Sequence, residues 1–141
     1  MGLFEDVGDF HRKFGLPNDQ DTKPNILPED VMSFRVNFMQ EELNECIVAY
    51  ETGDLPKVAD ALCDLVYVAL GTAHLMGLPF NKLWAEVQRA NMTKERATSS
   101  DDIRSTRKHS LDVVKPLGWQ PPNIEQVLAD HGYPIVTKGE K

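Results

Sequence analysis

Residues 57–74 of the chain, KVADALCDLVYVALGTAH, form a predicted helix that is apolar in nearly every direction. A helix of this kind is typical of a buried position. One narrow polar stripe interrupts it at spacings of three and four: Lys57, Asp60, Asp64, Tyr67, Gly71 and His74. Buried carboxylates must be paired or must coordinate a metal ion, and Lys57 is the only lysine or arginine of the stretch. The segment therefore predicts a core helix whose aspartates need a partner from elsewhere.

Helix start and stop signals on both sides of this segment define the other elements. Pro56 lies in the first turn of the core helix, and Gly77 and Pro79 end it. Four further helices are predicted at residues 3–14, 28 to about 51, 80 to about 94, and 124–129. Nothing alternates with a period of two over a useful length, so we predict an all-α fold.

The length of 141 residues suits one domain. We therefore predict a single domain over residues 1–141, with a helical core at about 3–95 and a basic loop and tail at 96–141. No internal repeat or low-complexity segment divides the chain.

Acidic residues outnumber basic ones by 22 to 15, which gives a net charge of −7. This charge argues against nonspecific nucleic-acid binding and against anionic membrane surfaces. The longest apolar run, residues 65–70, is far shorter than the roughly 20 residues of a membrane span. Cys46 and Cys63 form no CxxC motif, and we expect buried thiols in a reducing compartment. The N-terminal residues do not resemble a signal peptide, so we expect a cytoplasmic protein.

The predicted helix from 28 to 51 carries two neighbouring stripes. The expected core stripe is Met32, Met39, Leu43, Cys46, Ile47 and Tyr50. The stripe beside it holds Phe38, Glu42, Glu45 and Ala49. Glu42 and Glu45 are therefore neighbours on the helix surface, and Glu41 lies further round. Taken alone, this EExxE pattern is more typical of a solvated acidic edge than of a site.

The acidic residues of the two long helices together favour a divalent cation site. Carboxylates that face each other repel unless a cation lies between them. We therefore predict that Glu42 and Glu45 face Asp60 and Asp64 across one ion. An all-oxygen ligand set favours Mg²⁺ or Mn²⁺. Di-iron and zinc sites are disfavoured because no suitably spaced histidine or Cys/His cluster is present, and His74 is expected to be a satisfied helix-end residue.

Polar and basic residues follow the third long helix. Asn91 and Lys94 end an otherwise apolar helix face, either as a helix terminus matched to the helix dipole or, beside a metal site, as phosphate ligands. The basic residues of the following segment are Arg96, Arg104, Arg107, Lys108 and Lys115. This segment is either a solvated loop or a lid that closes over phosphate oxygens.

Four motifs, taken in order, resemble the MazG-like all-α nucleoside triphosphate pyrophosphohydrolases. They are Glu41-Glu42-x-x-Glu45, an Asp-centred motif at Asp64, Asn91-Met92-Thr93-Lys94, and Lys115-Pro116-x-Gly118-Trp119-x-Pro121-Pro122. The resemblance covers roughly residues 10–128. The stretches ALCDLVYVALGTA at 61–73 and DVVKPLGW at 112–119 are similar to phage-borne members. Each motif is weak alone, but their order and spacing together are specific.

The resemblance implies a four-helix bundle completed by oligomerisation, as a homodimer or homotetramer, with a loop-rich C-terminal tail. It also implies Mg²⁺-dependent hydrolysis of a (d)NTP to a (d)NMP and pyrophosphate, with an ExxE…ExxD carboxylate set. Glu42 and Glu45 match the first pair, and Asp64 matches the final Asp. The Glu that the family has three residues earlier is Ala61 here, so we expect Asp60 to substitute as a metal ligand.

The same resemblance implies roles for the remaining site residues. Glu41 or Glu45 would orient or deprotonate the attacking water. Asn91, Lys94 and Lys115 would balance charge on the phosphate oxygens. The expected partner is a (d)NTP, without nucleic acid or membrane. Similarity to the phage MazZ branch favours (d)GTP, although no residue identifies a guanine pocket.

Two alternatives remain open at this point. A phosphoribosyl-ATP pyrophosphohydrolase on the same fold would share the metal-binding acids. A non-catalytic helical interaction module would use the acids only as a polar rim, which the apolar surroundings of Asp60 and Asp64 argue against.

Overall fold

The computed structural model describes residues 2–134, which contain five helices and one two-stranded sheet. The helices are α1 (Leu3–Lys13), α2 (Glu29–Glu51), α3 (Leu55–Leu75), α4 (Phe80–Asn91) and α5 (Ile124–Asp130). Each predicted helix is present and the all-α class is confirmed, although α4 ends before the predicted residue 94. The strands β1 (Glu95–Arg96) and β2 (Val113–Val114) were not predicted, because two residues are too few to show a period. Among the described residues, 2–80 and 128–134 form one compact unit and 81–127 form another.

The turn between α2 and α3 shows why the helix ends could be predicted. Gly53 has a φ of 69°, a conformation that favours glycine. The Asp54 side chain caps α3 by accepting a hydrogen bond from the Lys57 backbone N–H at 3.1 Å. Pro56 occupies the first turn of α3, where its missing N–H costs nothing. These signals are local, and they fold α3 back to pack against α2.

The helix α1 packs on the C-terminal half of α3. Phe4 and Val7 of α1 form a buried cluster with Leu70 and Ala73 of α3. The Phe4 ring also stacks on His74, with ring centroids 3.8 Å apart. His74 Nε2 donates to the Phe4 carbonyl oxygen at 2.7 Å, and its Nδ1 accepts from a backbone N–H at 3.1 Å. The prediction that His74 is a satisfied helix-end residue is therefore confirmed.

A buried arginine joins α2 to α3 beside this cluster. Arg35 donates from Nε to the Thr72 hydroxyl at 3.0 Å and from Nη2 to the Val68 carbonyl oxygen at 2.9 Å. Gly71 allows the approach, because a Cβ there would lie 2.6 Å from Arg35 Nη2 and 3.0 Å from His11 Nε2. Glycine at this position of α3 is thus explained by packing, and not by the polar stripe in which the sequence placed it.

We expect acid to weaken this unit through His11. Burial lowers the pKa of His11 below its ordinary value of 6.5. The hydrogen bond to the Pro17 carbonyl raises this pKa, but His74 and Arg35 lower it further, and the net shift is downward. The unfolded chain therefore binds this proton more readily, so the free energy of unfolding falls as the pH drops below about 6.5. Urea unfolding followed from pH 7 to pH 5 should show this loss. His11→Gln should show a smaller loss, and His109→Gln, at an exposed histidine, should behave like the wild type. An unchanged pH dependence in His11→Gln would remove His11 as the cause.

The exposed surface of α2 corrects the predicted core stripe. Only Arg35 and Ala49 of this helix are buried. In the expected stripe, Leu43 is 42 % exposed, Ile47 is 47 % exposed and Tyr50 is 78 % exposed. Residues seven apart share a helix face. Glu42 lies seven residues after Arg35 and seven before Ala49, so the buried face of α2 also contains Glu42. The acidic stripe, and not the apolar one, meets α3.

The N-terminal half of α3 corrects the prediction of a helix buried all round. Its buried residues are Ala61, Val68, Leu70, Gly71, Thr72, Ala73 and His74. Leu62 and Val66 are about half exposed, and Cys63 is exposed, contrary to the expected buried thiol. By length and composition alone, α3 could cross a membrane. Core helices of soluble proteins often meet the same criterion, and the absence of a membrane partner stays a prediction.

The second unit contains most of α4, the β1–β2 ribbon and the loop between the strands. The strands are antiparallel and pair Glu95 with Val114 and Arg96 with Val113. Ala90 of α4 is fully buried, and its carbonyl oxygen accepts a hydrogen bond from the Trp119 indole N–H at 2.9 Å. Trp119 therefore anchors the chain after β2 to the end of α4.

The loop between β1 and β2 is internally paired. Arg104 contacts the buried carboxylate of Asp102 and that of Glu95, each at 3.0 Å. Arg107 pairs with Asp112, which also accepts the Ser105 hydroxyl at 2.7 Å. The hydrogen bonds from Arg104 and the Thr98 backbone hold the pKa of Asp102 well below its usual range. Arg104 and Arg107 therefore already have carboxylate partners within the loop, and the choice between a solvated loop and a lid over phosphate oxygens stays a prediction.

Candidate metal centre

Three carboxylates of the first unit converge between α2 and α3. Glu42 and Glu45 lie three residues apart on α2, on the face that packs against α3, and Asp64 comes from α3. One oxygen from each lies within 4.8 Å of the oxygens from the other two. Their convergence follows from helix geometry, because residues three apart are neighbours on the surface and the helix pair brings Asp64 opposite them.

The electrostatics of this cluster are unfavourable for three ionised groups. Burial raises the pKa of Glu42 above its ordinary 4.5, and Glu45, Asp64 and Glu41 add to the rise. Burial also raises the pKa of Asp64 above 3.8, followed by the charges of Asp60 and Glu45. The Oε2 atom of Glu42 is buried and has no hydrogen-bond partner. No lysine, arginine or histidine of residues 2–134 forms an ion pair with the three converging groups.

A hard divalent cation fits this arrangement. Metal–oxygen distances of about 2.1–2.5 Å place ligand oxygens roughly 3–5 Å apart around one ion, which matches the separation of the three carboxylates. A cation would also give the unpartnered Oε2 of Glu42 a ligand and cancel the mutual repulsion. The donor set contains only oxygen, which suits Mg²⁺ or Mn²⁺ and not zinc.

The other two predicted acidic residues lie at the edge of the cluster. Asp60 is exposed and is not among the three converging groups, but its charge acts on Asp64. Glu41 is exposed and borders a hollow with Phe34, Asn37 and Phe38. Ala61, which stands at the position of the family's Glu, is buried.

An open cavity adjoins the carboxylate cluster and was not foreseen. Its volume is about 560 Å³ and it is lined by Asn44, Glu45, Val48, Ala49, Thr52, Lys57 and Asp60. That volume lies within the range of small-molecule sites. Asn44, Thr52 and Lys57 place amide, hydroxyl and ammonium groups beside Glu45. The signal in the sequence is Lys57, the single lysine or arginine of residues 57–74, which lies on the same helix stripe as Asp60.

The three predicted phosphate ligands lie in the second unit. Asn91 is exposed at the last residue of α4. Lys94 and Lys115 flank the β1–β2 ribbon, with their Nζ atoms 5.4 Å and 5.0 Å from the centroid of the Trp119 ring. The structure thus brings the two lysines to one aromatic side chain.

Comparison with known proteins places this architecture in a family. A match of 29 % identity over 77 residues links the chain to a protein of Acanthamoeba polyphaga mimivirus that is described only as uncharacterised. The match covers 53 % of this chain but 31 % of the viral protein. The family model of phosphoribosyl-ATP pyrophosphohydrolase (PRA-PH) matches residues 7–91, a segment that includes α2, α3 and all three converging carboxylates. This match agrees with the resemblance to the MazG-like superfamily. The chain therefore belongs to the phosphoribosyl-ATP pyrophosphohydrolase family, whose members are pyrophosphohydrolases acting on nucleotides.

Proposed function

We propose that the protein hydrolyses a (d)NTP to a (d)NMP and pyrophosphate with Mg²⁺, for which Mn²⁺ can substitute. The observation that carries this proposal is the convergence of Glu42, Glu45 and Asp64 around a buried, unpartnered carboxylate oxygen. Membership of a pyrophosphohydrolase family supports the reaction class. Glu42, Glu45 and Asp64 would hold the ion, and Asp60 is proposed as a further ligand or as a charge that acts through Asp64.

The proposed reaction is the hydrolysis of the phosphoanhydride bond between the α- and β-phosphates by water. When bound, the divalent ion supplies charge neutralisation at the phosphate oxygens. Glu45 or Glu41 orients the water and takes its proton as oxygen attacks phosphorus. Attack at the α-phosphorus forms the new P–O bond, breaks the bond to the bridging oxygen, and releases pyrophosphate. Asn91, Lys94 and Lys115 are proposed to balance the charge on the phosphate oxygens.

A substrate panel tests this proposal. The purified protein should release pyrophosphate from at least one canonical or modified (d)NTP with Mg²⁺ or Mn²⁺, and not in EDTA. Resemblance to phage-borne members of the MazZ branch makes (d)GTP the first nucleotide to test. Water labelled with heavy oxygen identifies the attacked phosphorus, because the label enters the monophosphate after α-attack and pyrophosphate after β-attack. No hydrolysis of any nucleotide would favour the non-catalytic module.

A second candidate substrate is phosphoribosyl-ATP, which the name of the matched family favours. It carries a triphosphate, and a metal ion held by the same carboxylates could bind that triphosphate. The two substrates separate in one experiment, since phosphoribosyl-ATP added at equal concentration to a (d)NTP reports the ratio of the two kcat/KM values. A ratio that favours phosphoribosyl-ATP strongly would overturn the (d)NTP proposal.

We also propose that the protein is a homodimer or homotetramer. The support is the set of exposed apolar side chains on α2 and α3, among them Leu43, Ile47, Leu62 and Val66, because exposed apolar surface of this kind marks protein–protein contact sites. A second copy of the chain is the proposed cover. Light scattering should give a mass of at least twice the 15.9 kDa of the chain, and Leu62→Glu should shift it towards the monomer. A monomeric wild type would contradict the proposal.

A further inference from the structure

Lys94 comes directly before β1 and Lys115 comes directly after β2, at the same end of the ribbon. The register pairs Glu95 with Val114 and Arg96 with Val113. Continued by one residue, it sets Lys94 directly opposite Lys115. Directly opposed residues of an antiparallel pair have Cβ atoms about 4.5–5.5 Å apart, and like charges at such positions destabilise the ribbon. Two ammonium groups in this arrangement therefore need a compensating group.

The compensation does not come from carboxylates. Within residues 2–134, neither lysine forms an ion pair with an aspartate or glutamate. Arg104 and Arg107 of the same unit do have such partners. Residues 81–127 contain eight Lys and Arg against six Asp and Glu, in a chain whose net charge is −7. The second unit is thus locally positive, and part of that excess charge is concentrated at the two lysines.

Trp119 holds both ammonium groups. Their Nζ atoms lie 5.4 Å and 5.0 Å from its ring centroid, within the range of cation–π attraction. The ring itself is fixed, because its indole N–H donates to the carbonyl oxygen of fully buried Ala90 at 2.9 Å. An indole attracts cations without neutralising them, so the charges of Lys94 and Lys115 remain available to a ligand.

We infer that Lys94, Lys115 and Trp119 form a two-point binding site for a polyphosphate chain, in which Trp119 is a positioning residue. An anion that carries several charges can contact both ammonium groups and relieve their repulsion. A single surface lysine could not bind such an anion at two points. Because both ammonium groups lie at the indole, its role is to hold the lysines and not to stack a base. This inference deepens the proposed function by adding Trp119 to the phosphate ligands, but it concerns binding and does not require turnover.

Binding of inorganic pyrophosphate in EDTA tests the site without the carboxylate cluster. In a Trp84→Phe background, Trp119 is the remaining tryptophan, and its fluorescence should change as pyrophosphate binds. Calorimetry on the wild-type protein should show binding that weakens with salt. Lys94→Met and Lys115→Met should each weaken it at least about tenfold, since a charge-assisted contact is worth roughly 1.5–3 kcal/mol. Lys13→Met is the matched control, because Lys13 also lies over an aromatic ring, that of Phe14, and it should bind like the wild type.

The positioning role of Trp119 has its own readout. Trp119→Leu should weaken pyrophosphate binding, and adding Lys115→Met to it should cost much less than Lys115→Met costs alone. Trp119→Phe, which keeps a ring, should retain part of the affinity. Wild-type affinity in the Lys94→Met/Lys115→Met double variant, or additive effects of Trp119→Leu and Lys115→Met, would overturn the inference. Pyrophosphate binding without hydrolysis of any nucleotide would instead support this site and reject the proposed function.

Discussion

Glu42→Gln is expected to lower metal-dependent nucleotide hydrolysis at least about a hundredfold and, at the same time, to raise the melting temperature of the metal-free protein. The two effects have one cause. Glu42 places an ionisable oxygen, Oε2, in a buried position without a hydrogen-bond partner, beside Glu45 and Asp64. That arrangement is useful when a cation is bound and unfavourable when it is absent. Glutamine keeps the shape of the side chain and removes the charge.

The measurements for Glu42→Gln are kcat at saturating Mg²⁺ and thermal unfolding in EDTA at pH 8. Glu51→Gln is the matched control on α2, since Glu51 is exposed and outside the cluster. It should keep wild-type activity and change stability by no more than about 0.5 kcal/mol. Wild-type activity in Glu42→Gln would show that the metal centre is elsewhere. A lower melting temperature of Glu42→Gln in EDTA would show that the ionised Glu42 carboxylate does not destabilise the metal-free protein.

Mg²⁺ is expected to stabilise the folded protein, and to do so more strongly at pH 8 than at pH 5. A ligand at a hundred times its dissociation constant adds about 2.7 kcal/mol, which for a chain of this length corresponds to several degrees in melting temperature. The folded protein holds Glu42 and Asp64 at raised pKa values. Between their ordinary and raised pKa values, the folded state binds more protons than the unfolded chain. The contribution of these groups to the stability of the metal-free protein therefore falls as the pH rises through that window.

The metal reverses this loss, because it requires the deprotonated carboxylates. The gain in melting temperature on adding Mg²⁺ should accordingly grow with pH. Asp64→Asn should abolish the gain, and Asp60→Asn should reduce it by a smaller amount, because Asp60 is outside the three converging groups. Equal losses in the two variants would make Asp60 a direct ligand. A gain that does not depend on pH, or no gain in the wild type, would contradict the proposed metal site.

The predictions that succeeded rest on short-range signals. Pro56, Gly53 and the Asp54 cap fix the start of α3 through contacts within four residues, so the sequence alone could place it. The acids at 42 and 45 were paired correctly because a spacing of three makes neighbours on any α-helix. The family resemblance succeeded for a related reason, since it rested on the order of motifs along the chain.

The predictions that failed depend on which helix faces meet. Periodicity shows that Leu43, Ile47 and Tyr50 share a face, but it does not show that this face is covered, and here it is exposed. The face that meets α3 contains Arg35, and a search for apolar residues at helical spacing does not assign an arginine to the buried face. Its guanidinium is satisfied by Thr72 and by a carbonyl oxygen of α3, partners more than thirty residues away that no local window includes.

The sequence by itself determined the all-α class, the helix limits other than the end of α4, and the acidic stripe, because these follow from capping, helix breakers and a fixed residue period. Only the tertiary structure decided which acids converge. Helix spacing alone places Asp60 and Asp64 on the same stripe, and the packing of α2 on α3 brings Asp64, and not Asp60, to Glu42 and Glu45. The tertiary structure also decided that Lys94 and Lys115 lie close to the Trp119 ring. The reason is that the pairing of β1 with β2 brings the residue before β1 near the residue after β2, although a loop of sixteen residues separates the two strands.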